Sequence, residues 1–208
     1  LAPYLADLGV SHLYSSPILA ARAGSTHGYD VIDHSRINPE LGGEDGFRAL
    51  AAALKAQGIG IILDIVPNHM AVGGADNPCW LDLLEKGPDS VFANMFDIDW
   101  EPAQANLRDK VLVPLLGSKT RDAIDCGDLA LVWDAALGKY AFAYAEHRFP
   151  LRKEDYAGVE ADLAAANSPA ALRALLERQN VRRAFWRDAG ERINWRRFFD
   201  ITDLAALR

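Results

Sequence analysis

The feature that most constrains the fold is one apolar run that ends in polar residues. Residues 61–66 are Ile-Ile-Leu-Asp-Ile-Val, with Gly58 and Gly60 before them and Pro67 after them. A short run rich in β-branched residues, bounded by residues that disfavour regular structure, predicts a strand buried on both faces. Such strands are typical of parallel sheets that are covered by helices. The run therefore predicts an α/β fold.

Polar side chains lie within this run and directly after it. Asp64 interrupts the apolar residues, and Asn68 and His69 follow them. A buried carboxylate needs a partner, because an isolated charge in apolar surroundings is costly. In a (β/α)8 barrel the C-terminal ends of the strands hold the active site, so these three residues are functional candidates. An Asp in the core followed by an ordinary Asn-His turn is the alternative that this stretch leaves open.

The segments before the run alternate between helix and strand. Residues Leu1–Leu8 predict a helix that ends at Gly9, and Val10–Ser15 predict a strand that ends before Pro17. Residues Glu44–Gln57 predict a second helix, with apolar side chains at helical spacing. This order is typical of βαβ units with a right-handed crossover.

The segment 23–43 is rich in Gly, Ser, Asn and Pro, and predicts a long loop without regular structure. Long loops inside compact domains are usually functional. This one contains His27, Tyr29, Asp33 and His34, and a tyrosine can offer a sugar both a ring face and a hydroxyl. The two histidines are not predicted to bind a metal, because no cysteine or carboxylate pattern completes a site. No cofactor is predicted.

Beyond about Val72 the alternation stops, which predicts an inserted subdomain over residues 72–208. Within it, Trp80–Leu84 predict a short helix, and Gly138 predicts the turn of a β-hairpin. Ser168-Pro169 predict the start of a further helix. Val181–Trp186 are ambiguous between strand and helix. For each of its five tryptophans a place in the core is favoured over a role as a sugar platform.

Composition narrows the classes of partner. The 208 residues have a net charge of −7, which argues against nucleic acid, whose binding depends on Lys and Arg. No apolar run approaches the roughly 20 residues of a membrane span. Two cysteines make no disulfide framework, so we expect a cytoplasmic protein. The sequence leaves the oligomeric state open. It begins inside a helical pattern and has no stop signal at its end, so we expect a piece of a longer protein.

Three blocks in order resemble the α-amylase superfamily, glycoside hydrolase family 13. They are Asp64-x-x-x-Asn68-His69, the preceding Gly28-Tyr29-x-x-x-Asp33, and the strand end at residues 13–17. Within the superfamily the chain is most similar to the family of maltooligosyl trehalose synthases. The segments that carry this similarity are 8–14, 24–31, 37–43, 64–70 and 196–201.

The resemblance implies a partial (β/α)8 TIM barrel with an inserted α+β subdomain B. Residues 1–71 would be the N-terminal part of the barrel, including its second and third strands and the helix between them. Residues 72–208 would be subdomain B. The remaining barrel strands would lie outside the chain.

The resemblance also implies an isomerase that acts on maltooligosaccharides. In this family the reducing-end α-1,4 bond is converted into an α,α-1,1 bond, which gives the oligosaccharide a trehalose end. The anomeric configuration is retained, so the mechanism is a double displacement. Asp64 and Asp33 could be taken for the catalytic pair, but the resemblance places the nucleophile and the acid beyond Arg208. We therefore predict no catalytic carboxylate within the chain.

The implied roles of the residues present are supporting ones. Asp64 would orient an arginine beside the nucleophile, His69 would bond the sugar at the cleaved linkage, and Tyr29 would stack under it. Asn68 matches a calcium ligand of many amylases, but a structural role is favoured here, and no metal is predicted. The predicted substrate-binding residues are Tyr29, His69, Asn68, Asp33 and His27. The alternatives are a retaining α-glucan hydrolase and a glycan-binding piece without catalysis.

Overall fold

The structure is a computed structural model that describes residues 1–189 and 192–208. Its chain forms two compact units, Leu1–Ala71 and Val72–Arg208, which are called the first and second unit below. Each unit combines helices with strands, so the predicted mixed α/β class is confirmed. Among the described residues, every helix is too short or too polar to cross a bilayer.

The first unit contains two helices and five strands within its described residues. In chain order they are α1 (Ala2–Asp7), β1 (His12–Ser15), β2 (Leu19–Ala21), β3 (Val31–Ile37), α2 (Gly43–Ala56), β4 (Gly60–Leu63) and β5 (His69–Ala71), with a 3-10 turn at Pro39–Leu41.

A parallel pair of strands forms the centre of the first unit. Strand β1 pairs with β4 in a register that places Tyr14 opposite Ile62. The backbone N–H of Asp64 extends the pairing by donating to the carbonyl of Ser15 at 3.1 Å. Helix α2 contributes Leu54, which is fully buried against Ile59. The predicted order of helix, strand, helix and strand is therefore confirmed for these four elements.

The prediction that the apolar run is buried on both faces is wrong for this chain. Ile62, Leu63 and Ile65 are all exposed, and 65% of Ile65 is accessible to solvent. Asp64 is only partly buried. The physical reason is that the sheet has two strands, β1 and β4, so that part of each strand has no neighbour to cover it.

The prediction that segment 23–43 lacks regular structure is also wrong. Its middle forms β3, which pairs antiparallel with β2. Val31 and Ile32 are buried, and β-branched residues favour a pleated, half-buried surface. The turn-forming residues are confined to the two ends of the segment, which is why a count of Gly and Pro over the whole segment was misleading.

The second unit is larger. Its elements are α3 (Pro78–Lys86), β6 (Val111–Leu116), α4 (Thr120–Asp125), β7 (Leu129–Asp134), β8 (Lys139–Tyr144), β9 (His147–Pro150), α5 (Tyr156–Ala161), α6 (Leu163–Ala166), α7 (Pro169–Glu177), β10 (Val181–Phe185), α8 (Trp186–Ala189), β11 (Arg197–Phe198) and β12 (Ile201–Ala206), with 3-10 turns at Gly87–Asp89, Ala105–Leu107 and Lys153–Asp155.

Two groups of strands organise the second unit. Strands β7, β8 and β9 form an antiparallel meander, and β10 pairs with β6 in parallel. Asn194 forms hydrogen bonds with three backbone groups near β6. Its Oδ1 accepts from the N–H of Leu112 at 2.9 Å. Its Nδ2 donates to the carbonyls of Asp99 and Lys110 at 2.8 and 2.7 Å. One buried side chain thus satisfies three backbone groups.

Most of the elements predicted for this unit are confirmed. The hairpin turns at Gly138, which has a φ of +61°, and helix α7 begins at Pro169. The ambiguous segment after residue 180 forms the strand β10 followed by the short α8. Trp80 and Trp195 are core residues as predicted, whereas Trp133 and Trp186 are about half exposed, so a core position is wrong for those two.

Candidate active-site region

Two tyrosines converge on one carboxylate in the first unit. The hydroxyl of Tyr29 donates to Oδ2 of Asp64 at 2.7 Å, and the hydroxyl of Tyr14 donates to the same oxygen at 2.8 Å. Tyr14 and Tyr29 are 64% and 43% exposed, so their rings and the carboxylate form an accessible polar surface. We call Tyr14, Tyr29 and Asp64 the Asp64 cluster.

The register of the parallel strands explains why Tyr14 reaches Asp64. Tyr14 lies opposite Ile62, and Asp64 follows two residues later. Side chains two residues apart along an extended segment point to the same face of the sheet. Tyr14 was missed as a functional candidate. One signal could have identified it: Tyr14 lies one residue before the end of a strand that pairs in parallel with the segment leading to Asp64.

Tyr29 is positioned by a turn that requires glycine before it. Gly28 has a φ of +78°, and a Cβ atom there would lie 2.5 Å from the carbonyl oxygen of Pro17. The N–H of Tyr29 donates to Nδ1 of His27 at 3.0 Å, and the two rings stack with centroids 5.9 Å apart. His27 therefore contacts the Asp64 cluster through Tyr29.

His69 lies behind Tyr29 and is only 4% exposed. Its Nε2 lies 3.0 Å from the backbone carbonyl oxygen of Tyr29, which can only accept, so Nε2 carries the proton. Its Nδ1 has no proton in this neutral form and can only accept; it lies 3.1 Å from the terminal amide of Asn68, which donates through its NH2 group when the amide is turned by 180°. Burial lowers the pKa of His69, so the ring is neutral at neutral pH. The structure thus brings Asn68, His69 and Tyr29 together, with both ring nitrogens of His69 in contact with protein atoms.

Asp33 is engaged separately from the Asp64 cluster. Its Oδ1 accepts from the backbone N–H and the hydroxyl of Ser35 at 2.8 and 2.6 Å, and its Oδ2 accepts from Nε of Arg36 at 3.0 Å. Burial raises the pKa of Asp33, but these hydrogen bonds outweigh it and hold the pKa below its ordinary value. Among the contacts described, none joins Asp33 to Asp64.

A histidine of β3 links that strand to the segment after β4. Nε2 of His34 lies 2.8 Å from the carbonyl oxygen of Val66, and a carbonyl can only accept, so the ring donates. This bond ties the strand that follows Tyr29 to the residues between Asp64 and His69. It therefore helps to hold the two parts of the site in one place.

The protonation states of the Asp64 cluster follow from its hydrogen bonds. The bond from Tyr29, and then that from Tyr14, lowers the pKa of Asp64 below its ordinary value. The same bonds raise the pKa values of both tyrosines. At neutral pH the cluster is one carboxylate that accepts from two neutral phenols. It can accept hydrogen bonds from hydroxyls or a cationic group, but it is not a general acid.

The described residues contain no group of three or more His, Cys, Asp or Glu side chains arranged to hold a metal ion. The Asp64 cluster itself offers two aromatic ring faces, hydrogen-bonding oxygens and one negative charge.

The first part of the chain is similar to α-amylases. Residues 2–81, which include the Asp64 cluster, match the model of the α-amylase catalytic domain. The intracellular maltogenic amylase of Bacillus subtilis is 39% identical over 95 residues, which are 46% of this chain and 15% of that protein.

The particular relatives are maltooligosyl trehalose synthases, to which the chain is similar over its whole length. A provisionally named synthase of Mycobacterium tuberculosis is 42% identical over 212 aligned residues, covering 100% of this chain and 24% of that protein. The solved structure of the synthase from Arthrobacter ramosus matches 99% of this chain at 38% identity and a TM-score of 0.79, and 24% of that chain is covered. The predicted resemblance is confirmed, and the chain spans about a quarter of the length of these relatives.

Proposed function

We propose that the protein to which these residues belong is a maltooligosyl trehalose synthase, an isomerase of trehalose biosynthesis. The reaction breaks the α-1,4 bond of the reducing-end glucose and forms an α,α-1,1 bond to the same glucose, without water. The observation behind this proposal is the extent of similarity. The synthase relatives match the whole chain, whereas the maltogenic amylase matches 46% of it.

The Asp64 cluster supports a place for the substrate sugar. We propose that the ring of Tyr29 stacks against a glucose unit and that Asp64 accepts a hydrogen bond from an arginine beside the nucleophile. Both groups are accessible, and Asp64 is ionised at neutral pH. Aromatic faces with a polar handle suit sugars, which have apolar faces and hydroxyl edges.

The other predicted binding residues fit this proposal to different degrees. His27 stacks on Tyr29 and Asn68 contacts His69, so both support the site. For His69 to bond a sugar hydroxyl, that hydroxyl must replace Asn68 at Nδ1, since Nε2 donates to the protein backbone. Asp33 is held by Ser35 and Arg36 of the same strand, so we propose that it stabilises β3 and does not touch substrate.

We propose that the first unit is part of a (β/α)8 barrel and that the second unit is subdomain B. The division of the chain at residues 71 and 72 supports this, as does the exposed apolar surface of β4, which further barrel strands would cover. We also propose a cytoplasmic location, because the chain has two cysteines and no sign of a disulfide framework.

The catalytic nucleophile and acid are proposed to lie outside these 208 residues. Asp64 is bonded by two tyrosines and Asp33 by Ser35 and Arg36, so neither is placed as an acid opposite a nucleophile. Loss of a nucleophile alone costs several orders of magnitude in rate. We expect the purified 208-residue chain to show no turnover of maltopentaose. Sustained turnover that Asp64→Asn abolishes would show that this assignment is wrong.

Product analysis of the full-length protein tests the function. With maltopentaose, we expect reducing ends to disappear while the oligosaccharide keeps its mass. A retaining hydrolase would instead increase the number of reducing ends and release shorter maltooligosaccharides. A glycan-binding protein would bind the substrate and leave it unchanged. Either result would exclude the synthase reaction.

A further inference from the structure

Tyr14 contacts the Asp64 carboxylate but has no role in the function proposed above. Its hydroxyl donates to Oδ2 of Asp64 at 2.8 Å, and 64% of the residue is accessible to solvent. Tyr14 lies near the end of β1 and Asp64 directly follows β4, so both stand at the carboxyl ends of two parallel strands. In α/β folds that end of the strands carries the ligand site. Tyr14 is therefore placed where a functional residue is expected.

The stability of the first unit does not account for this hydroxyl. An exposed hydrogen bond replaces one to water, so its net contribution to the free energy of unfolding is small. The pairing of β1 with β4 depends on backbone hydrogen bonds, in a register that places Tyr14 opposite Ile62. Both of these side chains are exposed, so a phenylalanine would serve the strand equally well.

The hydroxyl protons of two tyrosines are used by one carboxylate oxygen. Tyr14 and Tyr29 each have one O–H proton, and both donate it to Oδ2 of Asp64. Their oxygens can then only accept further hydrogen bonds, and Oδ1 of Asp64 receives neither hydroxyl. These three side chains consequently offer acceptors alone. A guanidinium, which donates several N–H bonds from a planar group, is the side chain that best matches such a set.

The two hydroxyls also reach Asp64 from different elements. Tyr14 belongs to β1, whereas Tyr29 follows the turn at Gly28. The terminal torsion of an aspartate is broad, so a single hydrogen bond leaves the carboxylate free to turn. Two donors from separate elements hold Oδ2 in place, and this fixes the direction of Oδ1 as well.

We propose that Tyr14 is a positioning residue of the same reaction: with Tyr29 it holds Oδ2 of Asp64, so that Oδ1 binds the arginine that Asp64 orients. This inference rests on the proposed function, which supplies the arginine. Tyr14 acts through Asp64 and does not touch the reacting atoms. The hydrogen bond from Tyr14 also lowers the pKa of Asp64, which keeps the acceptor charged.

Kinetics of the full-length enzyme with maltopentaose test this role. Tyr14→Phe removes the hydroxyl and keeps the ring, and we expect kcat to fall about tenfold at nearly constant KM, because the arginine acts in the transition state. The midpoint of unfolding in urea should stay unchanged, since the lost bond is exposed. Tyr4→Phe is the matched control. Tyr4 is also 64% exposed in the first unit but lies outside the Asp64 cluster, so kcat should not change.

A double-mutant cycle shows whether Tyr14 acts through Asp64. In Asp64→Ala, assayed at high enzyme concentration, adding Tyr14→Phe should lower kcat by less than about twofold. Equal losses in both backgrounds would overturn the proposal. So would an unchanged kcat in Tyr14→Phe, whether or not its urea midpoint falls. A wild type that creates new reducing ends would overturn the proposed function instead, and the same cycle, measured on hydrolysis, would still test Tyr14.

Discussion

A methyl group at residue 28 is expected to displace Tyr29 and to destabilise the first unit. Two effects add up to lower the free energy of unfolding in Gly28→Ala. A non-glycine residue at a φ of +78° costs about 1–2 kcal/mol. The new Cβ would lie 2.5 Å from the carbonyl oxygen of Pro17 and 3.3 Å from its carbonyl carbon. Backbone atoms must then move, at a further cost of about 1–3 kcal/mol. The expected total is about 2–5 kcal/mol.

Gly24→Ala is a matched control for this substitution. Gly24 has nearly the same φ, +74°, but its added Cβ would meet no atom within 4 Å. It should therefore cost only the conformational term of about 1–2 kcal/mol. The difference between the two variants isolates the collision with Pro17.

Native-state hydrogen exchange at the amides that join β1 and β4, such as that of Asp64, measures the cost where it arises. Tryptophan fluorescence serves as the reference, because all five tryptophans belong to the second unit. In Gly28→Ala we also expect the pKa of Asp64 to rise, since Tyr29 no longer reaches it. Equal losses of stability in Gly28→Ala and Gly24→Ala would refute the argument from Pro17.

Three further predictions follow from other contacts. Tyr29→Phe should raise the pKa of Asp64, measured by NMR titration of its carboxyl group. The ionised carboxylate stabilises the fold above its unfolded pKa, and this stabilisation is lost as the pH falls through the lower folded pKa, so it should be smaller in the variant. An unchanged titration midpoint of Asp64 would contradict the assignment. In the full-length enzyme His69→Ala should lower kcat more than it raises KM, because bonds to the distorted sugar strengthen in the transition state; a changed KM at constant kcat would argue against this role. Asn194→Ala should lower the free energy of unfolding, measured in urea, by about 3 kcal/mol, because three backbone groups lose their partner. As a control, Asn106→Ala at an exposed position should change that free energy by less than about 0.5 kcal/mol.

The sequence predicted the elements of the first unit better than their exposure. Periodicity and turn residues located α2 and β4, because both signals are local. Burial is not local: Ile62 and Ile65 are apolar, yet both are exposed because too few neighbouring strands cover them. An apolar pattern shows which side chains of a strand could be buried, but it does not show whether another element is present to cover them.

The site was predicted in part for a similar reason. Tyr29, Asp64 and His69 are recognisable because they stand in motifs with fixed spacing. Tyr14 stands in an ordinary strand, and its role depends on the register between β1 and β4.

The Asp64 cluster joins residues that are far apart along the chain, and this determines when it can form during folding. The hydroxyls that meet Asp64 belong to residues 35 and 50 positions earlier. Closing a loop of that length costs about 3 kcal/mol in chain entropy, which these two exposed hydrogen bonds cannot offset alone. We therefore expect the cluster to form after β1 and β4 have paired. Since its members all lie within the first 71 residues, its formation depends on strand pairing inside that unit.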